Sequence, residues 1–365
     1  MMPSDELSPR ILVIGCGGIG GVLASHLLMA QANLYIATTN KDVRHVWATT
    51  GPYLGEGPAI RPLPEDRILT SAAETTLLFD FVFVAVQPLQ IVDVAKSIQG
   101  KLTERGRVIC LPNGLCESRL SEVLGPERIV GAVVTWGARM PQPGHYLRTS
   151  KGGFAVGSFS ETSEPELFVI RDLLLDVGPV RFTENLRGAR FSKLVINCAV
   201  TALGTIGGRT LGKLLVRTKI RHLGLSLMRE AVQVALADGV ELESVNKIDI
   251  GKLVAESPSR RKLKKAAQHA LLIALGARYR KLRSSMLSAI ERGREPAIDY
   301  INGEIVSLGK IKGIPTPFNQ AAVEIVWAIS RRELAPGNGA LEAMRQRAHE
   351  LDSSKTEMEF PVDHQ

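Results

Sequence analysis

Lys193, Asn197 and Thr201 stand four residues apart in the run Ala189-Arg-Phe-Ser-Lys-Leu-Val-Ile-Asn-Cys-Ala-Val-Thr201, which is otherwise largely apolar. Four residues advance a helix by about 400°, so an ammonium, an amide and a hydroxyl share one face and drift roughly 40° per step. An ammonium in an apolar segment needs a reason. Either it snorkels outward along its apolar stem, or it is placed to act on a ligand. A second constellation bears on that choice. Gly15, Cys16, Gly17, Gly18, Ile19 and Gly20 run in the GxGxxG spacing that lets a backbone wrap a pyrophosphate, the chemistry of a dinucleotide cofactor. Gly15 permits the tight turn, Gly17 lets the main chain approach the phosphates, and Gly20 lets the next helix pack on its strand. The phosphates would then meet N–H groups at a helix N-terminus.

These groups need elements to carry them. Residues 10–14 form a strand-sized apolar run directly before the glycines, residues 21–30 show helical spacing after them, and residues 34–37 supply a second strand. At the tip of that strand an NAD site would offer an acid to the adenosine ribose. This chain offers Thr38, Thr39, Asn40 and Lys41, with Arg44 one turn on and no carboxylate before Asp42. NADP (as NADPH) is therefore the expected cofactor, with Thr39 and Lys41 at its 2′-phosphate. The runs at 79–86 and 107–111 are strands ending at Gln87-Pro88 and Pro112-Asn113-Gly114. Ligands of open α/β sheets bind beyond such carboxyl ends; Asn113 before a glycine equally suits plain turn chemistry. Strands are also expected at 129–134 and 180–182, helices at 91–98 and 166–175, an antiparallel pair at 142–148 and 153–157, and a surface loop at 51–64.

From residue 186 onward strand signals vanish. Helices are expected from 186 to about 203, broken by Gly204, Gly207 and Gly208, then at 211–236 and at 271–292 with Ser284-Ser285-Met286-Leu287 inside. Further helices follow at 298–308 and 319–329, separated by the stop-and-restart signal Gly313-Ile-Pro-Thr-Pro317. The expected fold is α/β: an N-terminal Rossmann-type doubly wound sheet over 1–184, an all-helical C-terminal domain over 185–350, and a polar, mobile tail over 351–365.

Composition narrows the class. At 365 residues, 45% hydrophobic and 22% charged, the chain reads as an ordinary globular protein of two domains. Residues 1–10 lack the apolar core of a signal peptide, and no apolar run reaches membrane-spanning length. Cys16, Cys110, Cys116 and Cys198 form no CxxC pair and no metal-like spacing with histidine, so reduced thiols, a cytoplasmic location and no metal are expected. The net charge of +8 is concentrated in one stretch, where Arg260, Arg261, Lys262, Lys264, Lys265, Arg278, Arg280, Lys281 and Arg283 occur without an acid. It matches no nucleic-acid motif and has only Tyr279 as an interleaved aromatic, so it reads as a solvated face that helps draw in anions.

Taken in order and spacing, several pieces resemble the 2-dehydropantoate 2-reductase (ketopantoate reductase) family over nearly the whole chain. They are the 15–20 loop, Pro112-Asn113-Gly114, Ser192-Lys193-Leu-Val-Ile-Asn197, Ser284-Ser285-Met286-Leu287, Ile298-Asp-Tyr-Ile-Asn-Gly303 and Gly313-Ile-Pro-Thr-Pro317. The resemblance implies NADPH-dependent reduction of a small 2-oxo acid, 2-dehydropantoate foremost, in a cleft between the two domains and within pantothenate biosynthesis. It implies Lys193 as general acid with Asn197 beside it, and Asn113, Asn197, Thr201 and Ser285 as substrate contacts. Gln87 and Asn113 join the 15–20 loop, Thr39 and Lys41 at the cofactor, and a homodimer through the helical domain is expected. The physics suits those roles: hydride arriving at a ketone carbon leaves an alkoxide that needs charge and a proton together, and an ammonium supplies both.

The chain also departs from the family's pattern. Ala297 stands where the family usually carries a glutamate that contacts the substrate hydroxyl, Thr201 replaces a second asparagine, and Gln87 and Thr39 replace basic cofactor contacts. These departures prompt an alternative, a related dehydrogenase of another 2-oxo or imino acid. From a different class comes a nucleotide-sensing or nucleic-acid-binding protein without turnover, prompted by the basic stretch. Retention of Lys193, Asn197, Asn113 and Ser285 argues against it, since a sensor needs no proton donor.

Overall fold

The computed structural model describes residues 8–160, 164–244, 249–254, 261–278, 280 and 283–358. The chain divides into two units, Met1–Leu186 and Arg187–Gln365. In the first, β1 (Arg10–Ile14) leads into α1 (Gly18–Met29) and β2 (Asn33–Ala37) into α2 (Lys41–Thr49). After the short β3 (Tyr53–Leu54) and β4 (Ile68–Leu69), β5 (Phe79–Val84) precedes α3 (Ile91–Ile98) and β6 (Leu102–Cys110) precedes α4 (Cys116–Leu124). The unit closes with β7 (Ile129–Val134), β8 (Ala138–Arg139), β9 (His145–Arg148), β10 (Phe154–Ser158), α5 (Glu164–Leu175) and β11 (Val180–Phe182).

Eight strands form one sheet in the order β11-β10-β7-β6-β5-β1-β2-β4. Its ladders are parallel except where β10 meets β7. Strands buried on both faces read as unbroken apolar runs, and their alternate residues feed two cores. Ile11, Val13, Phe81 and Phe83 pack with α1, α2 and α5 residues such as Leu23, Trp47 and Ile170. Leu12, Ile14, Val82 and Val84 pack with Ile91 and Ala95 of α3 and Leu120 of α4. This is a doubly wound α/β sheet, and the chain turns to opposite sides of β1 when it adds β2 and then β5. The crevice beyond the carboxyl ends of β1 and β5 is where such sheets hold ligands.

One expected pairing is wrong. Residues 142–148 and 153–157 do not pair with each other: β9 runs antiparallel to β8 and parallel to β3 in a separate three-stranded sheet, while β10 joins the large sheet. The fully buried start of β10, Phe154 to Gly157, suits an interior strand better than a surface hairpin. The expected surface loop at 51–64 likewise contributes β3, whose Tyr53 ring stacks on His145 at 4.1 Å.

The second unit is helical throughout its described residues: α6 (Leu186–Gly207), α7 (Leu211–Leu215), α8 (Thr218–Ala237), α9 (Ile250–Val254), α10 (Arg261–Arg278), α11 (Ser285–Glu291), α12 (Asn302–Lys312), α13 (Pro317–Ser330) and α14 (Asn338–Met358). Helix α6 passes through Gly204, where a break was expected, and ends at Gly208 with φ +64°. A mid-helix glycine costs only about 1 kcal/mol, and here it admits a close neighbour described below. The expected helix at 211–236 is two helices, because Arg221 turns back to donate to Leu215 O at 2.9 Å and Val216 O at 2.7 Å, satisfying the last carbonyls of α7. The expected helix at 271–292 is also two, divided where Ser284 caps α11 by accepting from Leu287 N. The 298–308 helix begins as a 3-10 turn, Ala297–Tyr300, before α12. Gly313, left-handed at φ +69°, and Pro317 in the first turn of α13 form the stop and restart as expected. Helix α14 continues past residue 351, where the polar tail was expected to start.

Among the described residues, no helix is long and apolar enough to cross a membrane and no group of residues could hold a metal ion. All four cysteines are buried free thiols. In the basic stretch, the side chains at 260–265, 278 and 281 lie outside the described residues; Arg280 is exposed, and Arg283 pairs with Glu291.

Candidate functional site

The glycine loop follows β1 directly. Gly15 has φ +95°, a region that favours glycine, and its N–H donates to Ala37 O at 2.8 Å. A Cβ on Gly20 would fall 2.0 Å from Gly15 O, so only a bare flank lets α1 start against the end of the strand. Gly17 is different: nothing lies within 4 Å of where its Cβ would be. Beside that open space the first-turn N–H groups of Gly18, Ile19 and Gly20 have no intrahelical acceptor, while Gly21 N closes the first bond of α1 onto Gly17 O at 2.7 Å. Open space next to donors and the positive end of the helix fits a pyrophosphate. Cys16 contributes only backbone here; burial pushes its thiol up to about 12, leaving it protonated and inert at neutral pH. Gly20→Ala is expected to weaken dinucleotide binding about 10- to 100-fold, the scale of overpacking strain. Titration calorimetry checks this, and affinity unchanged by the methyl would refute the packing argument.

At the tip of β2 the polar residues divide their work. Asn40 caps α2, its Oδ1 accepting from Asp42 N at 3.0 Å and Val43 N at 3.2 Å. Arg44 donates to Thr38 O at 2.8 Å. Thr39 and Lys41 stay exposed at the surface, beside an exposed Asp42. The capping amide and the tied arginine thus order the tip, and Thr39 and Lys41 are the groups it presents.

Gln87 is exposed just past β5, with its N–H 3.4 Å from Gln90 Oε1. Asn113 is exposed just past β6, between buried Pro112 and Gly114 at φ +87°, and its carbonyl accepts from Cys116 Sγ at 3.3 Å. Because β1, β5 and β6 are adjacent and parallel, Gln87, Asn113 and the glycine loop all stand at one edge of the sheet. The Asn113 backbone serves the turn, and the residue itself is exposed.

In the second unit, helix α6 carries a polar face of its own. From Gly188 to Gly207 every residue is buried except Lys193, Ile196, Asn197, Val200 and Thr201, all half-buried. At 100° per residue these five span a stripe about 140° wide, and from 193 to 201 it runs about 12 Å along the axis. The polar trio therefore occupies the accessible window of an otherwise buried helix, with two apolar side chains between them. Lys193 is not wholly buried, as its surroundings in sequence suggested; it stands at one end of that window.

The far end of the window is closed by the serine loop. Gly204 lies on the same face one turn on but is buried, and a Cβ there would approach Ser284 Cβ to 3.3 Å. Thr205 Oγ1 is 2.8 Å from Thr201 O and 2.7 Å from Ser284 Oγ. A threonine hydroxyl has one proton; given to Thr201 O, it leaves Ser284 to donate to Thr205. Ser284 is thus the buried anchor, and Ser285 is exposed at the first position of α11 beside it. Ala297 is half-buried at the start of its 3-10 turn, whereas Glu295 is exposed beyond Pro296.

Behind α6 a buried polar network holds its position. Asn302 Nδ2 donates to Cys198 O at 3.1 Å and to Asn319 Oδ1 at 2.9 Å. Asn319 Nδ2 donates in turn to Leu227 O at 3.1 Å and to Glu230 Oε2 at 2.7 Å. Glu230 also accepts from Phe318 N at 2.8 Å and Asn319 N at 2.9 Å, capping α13. Burial pushes its carboxyl up to about 7 in spite of these bonds, which pull it down. Sequence reasoning gave no role to Ser284 or Asn302, which lie inside quoted motifs, and missed Thr205, Asn319 and Glu230. A serine ahead of an apolar run is a cap signal that marks Ser284; the others meet partners 17 to 104 residues away, which no local pattern reveals.

Known proteins match both units of the chain. Residues 11–161 match the family model described as ketopantoate reductase PanE/ApbA, and residues 185–330 match the model for its C terminal. The 2-dehydropantoate 2-reductase of Archaeoglobus fulgidus is 21% identical over 321 residues, 87% of this chain and 96% of that protein. A PanE/ApbA family ketopantoate reductase from Ralstonia eutropha superposes with TM-score 0.74 at 21% identity, covering 88% of this chain and 99% of that one. D-mandelate dehydrogenase, solved with NADH and anilino(oxo)acetate, superposes with TM-score 0.75 at 20% identity, covering 88% and 98%.

Proposed function

Because this chain belongs to the ketopantoate reductase family, we propose that it uses NADPH to reduce a small 2-oxo acid to the 2-hydroxy acid, with 2-dehydropantoate as the leading substrate. Membership makes it an oxidoreductase of the CH–OH class with a nicotinamide cofactor. The observation that carries the finer reading is the window on α6, where Lys193, Asn197 and Thr201 are the polar groups left accessible on a buried helix.

The cofactor fits the loop described above, with Gly17 bare and open and the first turn of α1 offering N–H groups. Thr39 and Lys41 would meet a 2′-phosphate, and Gln87 and Asn113 the rest of the dinucleotide. When bound, the reduced nicotinamide supplies a hydride. The remaining work belongs to the protein. As the carbonyl carbon is reduced its oxygen gains negative charge, and the Lys193 ammonium neutralises that charge and delivers the proton. Asn197, one turn on, holds the carbonyl without titrating. Ser285 and Thr201 offer neutral donors to the substrate carboxylate, and Asn113 orients the acid against its cofactor.

A second reading keeps this chemistry and changes the acid. Ile196 and Val200 lie in the same window, and Ala297 offers no hydrogen bond to a substrate hydroxyl. A 2-oxo acid with an apolar side chain would suit those residues, and D-mandelate dehydrogenase shares the fold. Losing a hydroxyl's buried partner is worth about 2 kcal/mol, enough to change preference between acids about thirtyfold.

One assay separates the readings: follow the loss of NADPH absorbance against a panel containing 2-dehydropantoate and aryl- and alkyl-substituted 2-oxo acids. Highest kcat/KM on 2-dehydropantoate supports the first reading, and highest on an apolar acid the second. Turnover of none would sink both. The same assay with NADH is expected to give a lower kcat/KM, and a clear NADH preference would show that Thr39 and Lys41 do not read a 2′-phosphate.

A further inference from the structure

The glycine loop has a brace that its motif does not contain. Tyr146, fully buried on β9, lies with its hydroxyl 3.2 Å from Cys16 O and 3.0 Å from Trp47 Nε1. An indole N–H can only donate, so the phenol accepts from Trp47 and its own proton is directed to Cys16 O. Burial raises the phenol further above its ordinary range, which keeps that proton in place. The ring itself packs where α1 is bare, since a Cβ on Gly21 would fall 1.9 Å from Tyr146 Cε1. On the neighbouring strand β8, Ala138 O would lie 2.7 Å from a Cβ on Gly18. The small sheet thus presses against the loop and the first turn of α1.

What the hydroxyl controls is a direction. In a trans peptide the C=O and N–H groups point to opposite edges of one plane. Turning the Cys16 carbonyl inward onto Tyr146 therefore turns the Gly17 N–H outward, at the residue whose Cβ position is open. We propose that Tyr146 is a positioning residue for the cofactor: its hydroxyl, by its own bond to Cys16 O, presets the peptide between Cys16 and Gly17 so that the Gly17 N–H faces an incoming pyrophosphate. This rests on the reading that the loop holds a nicotinamide dinucleotide. Preorganised donors bind without first paying for their own ordering, so the effect belongs in affinity and not in the chemical step.

The test compares two conservative variants of the full chain by titration calorimetry with NADPH and NADH, alongside thermal melting and steady-state kinetics. Tyr146→Phe keeps the ring against Gly21 and removes only the hydroxyl; its NADPH Kd and KM are expected to rise about tenfold with kcat within about twofold. Trp47→Phe removes the donor to Tyr146 but leaves the bond to Cys16 O, so it is expected to lower the melting temperature while Kd stays within about threefold. A Tyr146→Phe Kd within twofold of the parent overturns the proposal, as does equal weakening by both variants, which would mark a merely structural role. If Tyr146→Phe gives no folded protein, Trp47→Phe still decides, because a tenfold loss there contradicts the assignment. A parent that binds neither NADPH nor NADH is a separate outcome: it removes the dinucleotide reading itself.

Discussion

Lys193→Ala is expected to lower kcat about a hundredfold or more while the Kd for NADPH stays within a few-fold of the parent. The size follows from what one group does twice. The same ammonium stabilises charge on the developing alkoxide and hands over the proton, and removal of either function alone is worth orders of magnitude. Water reaching the window on α6 can replace part of the proton transfer, which is why the residual rate stays measurable. The proposed cofactor contacts do not include Lys193, so cofactor affinity should be indifferent to the change. Steady-state kinetics with the best acid of the panel, together with calorimetry, checks both halves. Lys193→Arg keeps the charge but not a readily released proton, so it should recover affinity for the acid and little of kcat. Near-full activity in the alanine variant would make Lys193 a snorkelling side chain and nothing more.

Glu230→Ala is expected to destabilise the protein strongly. It strands three donors, the half-buried N–H of Phe318 and, both buried, the N–H of Asn319 and one proton of the Asn319 amide. Unsatisfied buried groups cost about 1–3 kcal/mol each, so a loss of about 3 kcal/mol or more follows, a fall in melting temperature of roughly 6–12 °C. The carboxyl also ties stability to pH. Its folded pKa, about 7, lies above its ordinary 4.5, so the folded state binds the proton more tightly. Its contribution is complete below pH 4.5 and is lost as the pH rises through 7. That shift corresponds to about 3 kcal/mol. Glu230→Gln cannot titrate, so the stability gap between it and the parent should narrow as the pH is raised across that window. Melting curves at several pH values measure the gap; a gap that stayed constant would mean that folding leaves the Glu230 carboxyl at its ordinary pKa.

Much of this was legible in the sequence wherever the signal was local. The β1-α1-β2 unit announced itself through an apolar run, a glycine spacing and a helical repeat, all within 30 residues. The face of α6 followed from counting in fours, because a helix that is buried elsewhere leaves its mark as polar groups at that interval. Legibility failed where a distant partner decided the outcome. Nothing near residue 146 says that β9 leaves β10 and joins β3, or that its tyrosine meets a carbonyl 130 residues earlier. The helix breaks before α8 and α11 depend on Arg221 and Ser284 satisfying ends that periodicity alone would have run together. Gly204 misled for the complementary reason: it reads as a breaker, yet its missing side chain is what seats Ser284.

The window on α6 sets a rule for how this segment can change over time. Because one residue turns a helix by about 100°, inserting a single position between Lys193 and Thr201 would turn Thr201 into the core, and deleting one between Lys193 and Asn197 would bring Cys198 and Ala202 to the opening. The apolar letters in between are free to vary in size and branching, but their number is not. Lineages of such proteins should therefore differ in the spelling of these nine positions and agree in their length, while gains and losses of residues accumulate in the connections on either side.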